Sequence, residues 1–216
     1  MVKLTTVENT PRKVYYKETQ QANKEKLLAK YGQKKKLPHG YELAALVALS
    51  HFPELTYVAI DFKFKQSDTT LSARPRLLSV LVPGRLRKYE VMISKRTRTS
   101  KEPVMLKNLD FNMQVGVIGH ELAHIADYVR KTPAQVIRYS IMYMFESFRK
   151  KIENRTDRLT IKRGLGYQIL AYARLVEKLK KDYPQEKYYQ DYNNIYLSAS
   201  EIESRMARLQ IYQGAD

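Results

Sequence analysis

Two imidazoles four residues apart, with a carboxylate directly after the first, can share one metal ion when the chain is helical there. The run His120-Glu121-Leu122-Ala123-His124 has this form. Glu121 then lies about 100° round the helix from His120, at the edge of the imidazole face, where it can take a proton from metal-activated water. The flanking sequence predicts the helix itself, over about residues 112–131. Asp110 or Asn112 can cap its start, and Thr132-Pro133 ends it, because proline disfavours helix in the residue before it. Ile118, Leu122, Ile125 and Val129 recur at spacings of four, three and four, an apolar stripe centred opposite the two histidines. The helix should therefore bury one side and present a metal face on the other. Gly116 and Gly119 each cost a helix about 1 kcal/mol. They reflect either local tolerance or the close approach of a strand or substrate backbone.

Composition narrows what can surround this helix. A chain of 216 residues forms one domain, or one domain with helical appendages, and is large enough to bury a core without covalent staples. It contains no cysteine, which excludes a disulfide scaffold and thiolate-bound zinc. Of four histidines the motif uses two, leaving His39 and His51 as the other imidazoles. Met1 to Gln21 is polar and charged, without the apolar segment of a signal peptide. The longest apolar run, Leu43 to Leu49, is too short to span a membrane, so a soluble cytoplasmic protein is the expectation. The formal charge of +17 implies attraction to polyanions: nucleic acid, anionic membrane surface or acidic proteins.

Along the chain, residues 1–40 read as a basic N-terminal region, with a loose arm over 1–21, a short helix over 22–30 and a basic linker from Lys34 to Gly40. Residues 41–216 read as a single α+β domain. A helix over 41–51 precedes a small antiparallel or mixed sheet over about 57–94, with strands at Tyr57–Lys65, Arg76–Val82 and Arg87–Ser94. Pro83-Gly84 is the expected hairpin turn. A basic loop, Lys95 to Lys107, leads into the motif helix. Everything after Pro133 reads as helical: one helix reaching Glu146 or beyond, another over 151–159, a break at Gly164 and Gly166, an amphipathic helix over 167–181, and a last helix capped by Ser198 or Ser200 and running to about Ile211. Tyr188, Tyr189, Tyr192 and Tyr196 read as a wrapping segment.

Two histidines hold a catalytic zinc poorly, so a third protein ligand is needed. Glu153 and Asp157 share a helix face; one can ligate while the other accepts an N–H from a ligating histidine. In this pairing the chain resembles the gluzincins, the thermolysin-like zinc metallopeptidases, where Glu-x-x-x-Asp on a later helix completes His-Glu-x-x-His. The resemblance implies a zincin-like fold with a mostly helical C-terminal half. It implies Zn²⁺ bound by His120, His124 and Glu153, Glu121 as general base, and Asp157 as partner of a histidine. It also implies an edge strand, such as Tyr89 to Ile93, that pairs with extended substrate. Glu146 is the alternative ligand. Asp127, within about 20° of His120 around the helix, is expected to hydrogen-bond His124, or else to face solvent or pair with Arg130 or Lys131. Tyr128, Tyr167, Arg163 and His51 are the candidates for stabilising an oxyanion. The expected function is zinc-dependent hydrolysis of peptide or protein substrates. The alternative is a basic nucleic-acid-associated protein with a structural or vestigial zinc site.

Overall fold

The computed structural model describes residues 10–67, 69–96 and 99–214, and its architecture is α+β. Two short helices, α1 (Lys17–Gln21) and α2 (Lys24–Tyr31), lead to a two-residue strand, β1 (Lys35–Lys36), and to α3 (Glu42–Ser50). The α3 sequence is apolar on every side, and Leu43 to Leu49 are all buried. Strands β2 (Ala59–Lys65), β3 (Leu71–Pro75) and β4 (Lys88–Ser94) complete a four-stranded mixed sheet in the order β1-β2-β4-β3. The first three in that order run parallel; β3 is antiparallel to β4, with Ala73 opposite Val91. Alternation along β2 buries Ile60 and Phe62 against the core, as its sequence pattern predicts.

Two features of the sheet correct the sequence reading. The apolar run expected as a strand over Arg76–Val82 is a loop with one 3₁₀ turn, Leu77–Ser79, and the strand lies earlier, at Leu71–Pro75. The carbonyls of Val80 and Val82 are claimed by the guanidinium of Arg87, which has no exposed surface, so no neighbouring strand pairs with them. Pro83-Gly84 consequently lies within a longer connection. Tyr89 to Ile93 is not at an edge either: β2 pairs with β4 along its whole length, and the edges are β1 and β3.

The C-terminal half is helical. It comprises α4 (Phe111–Val129), α5 (Pro133–Met142), α6 (Glu146–Thr160), α7 (Gly166–Asp182), α8 (Lys187–Gln190), α9 (Tyr192–Ile195) and α10 (Ala199–Ala207). Thr132 and Ser198 each open a helix with a capping box, completed by Gln135 and Glu201. The first of these helices stops at Met142, short of Glu146, and the last at Ala207, short of Ile211. Between α6 and α7 a π turn, Ile161–Leu165, contains Gly164 at φ 86°, a left-handed conformation that favours glycine.

The core lies between the sheet, α3 and α4. Ile60, Tyr89, Val91 and Ile93 of the sheet join Leu46 and Leu49 of α3 and Ile118, Leu122 and Ile125 of α4. Tyr15 and Tyr31 belong to the same core, so the chain is already packed against the body by residue 15; residues 1–9 of the expected arm lie outside the described residues. Gly116 marks a close approach, but by a helix and not a strand: a Cβ there would sit 2.6 Å from the backbone carbon of Gln168 on α7. Among the described residues no helix is long and apolar enough to cross a membrane.

Candidate metal centre

Helix α4 begins at the predicted cap, where the Asp110 carboxylate accepts the Met113 amide at 2.7 Å. Its apolar stripe is buried, which turns His120, Glu121 and His124 toward α6 and β3. Helix α6 buries Ile152, Glu153, Thr156, Asp157 and Thr160, and leaves Lys151, Arg155 and Arg158 in solvent. Its internal carboxylates thus face α4 and its cations face out. Burying two carboxylates on one helix is costly unless charge or hydrogen bonds meet them, and α4 supplies those partners.

The three predicted ligands converge. Glu153 Oε2 lies 3.0 Å from His120 Nε2 and 3.2 Å from His124 Nε2. One ligand atom from each of the three residues falls within 4.8 Å of the others, a group that can bind a metal ion. In a tetrahedral site with bonds of about 2.0–2.2 Å, donor atoms stand about 3.3–3.5 Å apart, close to the spacing seen here. The second carboxylate oxygen, Oε1, accepts the Tyr143 hydroxyl at 2.5 Å. Burial alone would raise the Glu153 carboxyl, but the His124 charge and the hydrogen bonds of both imidazoles outweigh it and hold the group well below the carboxylate range.

The outer nitrogens decide what the inner ones present. His120 Nδ1 lies 2.8 Å from Asp157 Oδ1, so its proton goes to the carboxylate. His124 Nδ1 lies 3.2 Å from Thr156 Oγ1, whose own proton is given to the Ile152 carbonyl at 3.0 Å. Thr156 must therefore accept from His124. In the neutral form both histidines are Nδ1–H tautomers, and both Nε2 lone pairs point at the same carboxylate oxygen. Three acceptor atoms gathered in this way require a positive charge between them, from a proton or a metal ion. At His120 burial alone would lower the pKa, but Asp157 and Glu153 raise it well above the usual histidine value, which favours a proton there.

Glu121 stands beside this group without joining it. It is 8% exposed, and its Oε2 has no hydrogen-bond partner. Burial pushes its carboxyl up, against the opposing pull of His124, His120 and the Ala73 backbone amide. It borders an open cleft of about 1080 Å³ that is also lined by His124, Glu153 and residues 69–74, the segment that contains most of β3. On its other side is an inner recess walled by Val117, Ile169 and the aromatic rings of Tyr172, Tyr188, Tyr192 and Tyr196.

Other sequence candidates are placed differently. Asp127 does not contact His124; it pairs with Lys131, the alternative that the sequence offered, and also accepts from Arg155 and Tyr139. Lys131 lies one turn on from Asp127 and Arg155 comes from α6, and an ion pair outcompetes a neutral imidazole. Glu146 is exposed in the first turn of α6 and stands apart from the cluster. Of the four oxyanion candidates Tyr128 lines the cleft, and burial lifts its hydroxyl to about 12. His51 is held between Tyr15 and the Arg163 carbonyl, Arg163 pairs with Glu54, and Tyr167 packs on Tyr212. Sequence reasoning missed Thr156, Tyr143 and the packing of Tyr196 against the His120 ring at 5.9 Å. The four-residue spacing of Tyr188, Tyr192 and Tyr196 was a usable signal for that aromatic wall; Thr156 and Tyr143 had none. No family model, curated protein or solved structure matches the chain.

Proposed function

We propose that this protein is a zinc-dependent hydrolase, a metallopeptidase of the thermolysin-like type, with His120, His124 and Glu153 as zinc ligands and Glu121 as general base. The observation that carries the reading is the pairing of a convergent His-His-Glu group with a buried, half-unpartnered carboxylate at its edge. Two imidazoles and one carboxylate, with no thiolate, suit zinc, and three protein ligands leave the open position that catalytic zinc sites keep. Bound zinc would supply Lewis acidity toward water and a peptide carbonyl.

The chain's own residues account for the rest. Asp157 and Thr156 hold the two imidazoles in the tautomer that ligation needs. Glu121 removes a proton from the attacking water through Oε2 and passes it to the leaving amine. The unpaired edge of β3 offers main-chain hydrogen bonds to an extended peptide lying in the cleft. Tyr128, which lines the cleft, is the donor assigned to the carbonyl oxygen in this reading. The tyrosine-walled recess receives an apolar side chain beside the scissile bond.

The test is Glu121→Gln, which keeps shape and removes the base. Zinc-loaded wild type should cleave denatured casein; the variant should retain zinc and lose at least about a hundredfold in rate. Equal zinc-dependent cleavage by both proteins would remove Glu121 from the mechanism.

A further inference from the structure

The connection between β3 and β4 is built in a way that the cleft does not require. Its polar groups turn inward: the buried Arg87 guanidinium donates to the carbonyls of Val80 at 3.1 Å, Val82 at 3.0 Å and Tyr128 at 3.2 Å. Buried Ser79 accepts the Lys88 amide at 3.1 Å, and the Tyr89 hydroxyl donates to Gly84 at 2.8 Å. Pinned from beneath, the loop holds its leucines in solvent: Leu77 is 84% exposed, Leu78 89%, Leu81 78% and Leu86 71%. Fully burying one leucine is worth about 1.5–3 kcal/mol. A cluster of four left in water on a braced loop marks an interaction surface.

Charge indicates what that surface meets. Between Thr69 and Tyr89 the chain has no Asp or Glu. Of its five cations there, Arg87 is turned inward, Arg74 and Arg76 lie 3.8 and 3.9 Å from Glu90, and Arg85 and Lys88 have no acid beside them in that segment. At the base of the loop, Arg76 and Lys88 line a groove with Lys34 and Lys36. Asp61, the one lining acid, lies 4.0 Å from Lys36, and the neighbouring Lys35 ammonium is taken up by the carbonyls of Leu55, Thr56 and Val58. An apolar tip above a cationic collar is complementary to a layer of negative headgroups over hydrocarbon. A second copy of the chain would set cations against cations, and a nucleic acid would leave the leucines wet.

We propose that this loop docks the protein on an anionic phospholipid bilayer, with Leu77, Leu78, Leu81 and Leu86 entering the acyl boundary and the Lys34–Lys36–Arg76–Lys88 groove taking lipid phosphates. Strand β3 carries the cleft wall and runs directly into the loop, so docking holds the cleft at the membrane surface. This assignment is independent of the catalytic reading.

The test is co-sedimentation of the full chain with vesicles of phosphatidylcholine alone and of phosphatidylcholine mixed with phosphatidylglycerol. Wild type should partition to the mixed vesicles at least about tenfold more strongly, with the difference shrinking as salt rises. Leu77→Ser/Leu78→Ser/Leu81→Ser should lower that partitioning by about tenfold or more with unchanged circular dichroism, because these side chains support no core. Lys36→Glu/Lys88→Glu should abolish the preference for anionic lipid. Equal binding to both vesicle types, or full binding by the serine variant, overturns the proposal. So does a leucine-dependent dimer in light scattering without vesicles, which would assign the patch to a second copy.

Discussion

Asp157 ties His120 to Leu197: one carboxylate oxygen accepts the imidazole Nδ1–H at 2.8 Å, and the other accepts the Leu197 backbone amide at 3.0 Å. The residue that orients a candidate metal ligand thus also fastens the end of the tyrosine segment that walls the recess. Asp157→Ala should weaken zinc binding by about 10–100-fold in a chelator competition. Asp157→Asn can satisfy His120 but not Leu197, so it should retain more affinity while the Leu197 amide exchanges faster. If both variants bound zinc like wild type, the orienting role would be lost.

Thr156 performs the same service for His124 with a neutral group. Thr156→Val removes the hydroxyl oxygen that faces His124 Nδ1 and leaves its volume filled, so zinc affinity should fall by about tenfold. Thr156→Ser should restore most of it. A valine variant with wild-type affinity would mean that the tautomer is fixed by something else.

His51 lies away from the metal group and gives the fold a dependence on acid. Burial lowers its pKa to about 4, with its ring held neutral between the Tyr15 hydroxyl and the Arg163 carbonyl. The unfolded chain takes up a proton near 6.5, so this group's contribution is intact above that value. It is lost as pH falls from 6.5 through about 4, by about 3 kcal/mol in all. Urea midpoints at pH 7 and pH 4.5 should diverge more for wild type than for His51→Gln. Equal divergence would place the acid sensitivity elsewhere.

What the sequence disclosed follows from which properties are local. The α4 stripe, its Asp110 cap and the shared face of Glu153 and Asp157 are consequences of helical spacing, and all appear as spacing predicts. The run Leu77 to Val82 reads as a strand because apolar residues there look buried. A single arginine ten residues on from Leu77 claims the carbonyls and turns the leucines out, which no local pattern encodes. For Asp127 the four-residue spacing gives the alternative partner, Lys131, but not Arg155, which a distant helix brings to it and which leaves nothing for His124. The edge strand was misplaced because sheet order depends on the parallel crossover from β2 to β4, a long-range choice.

The proposed zinc site depends on Glu153 as third ligand, and zinc titration against a competing chelator measures this directly. Wild type should bind one zinc ion, and Glu153→Ala should bind at least about a hundredfold more weakly with its fold intact by circular dichroism. Undiminished zinc affinity in Glu153→Ala would contradict it.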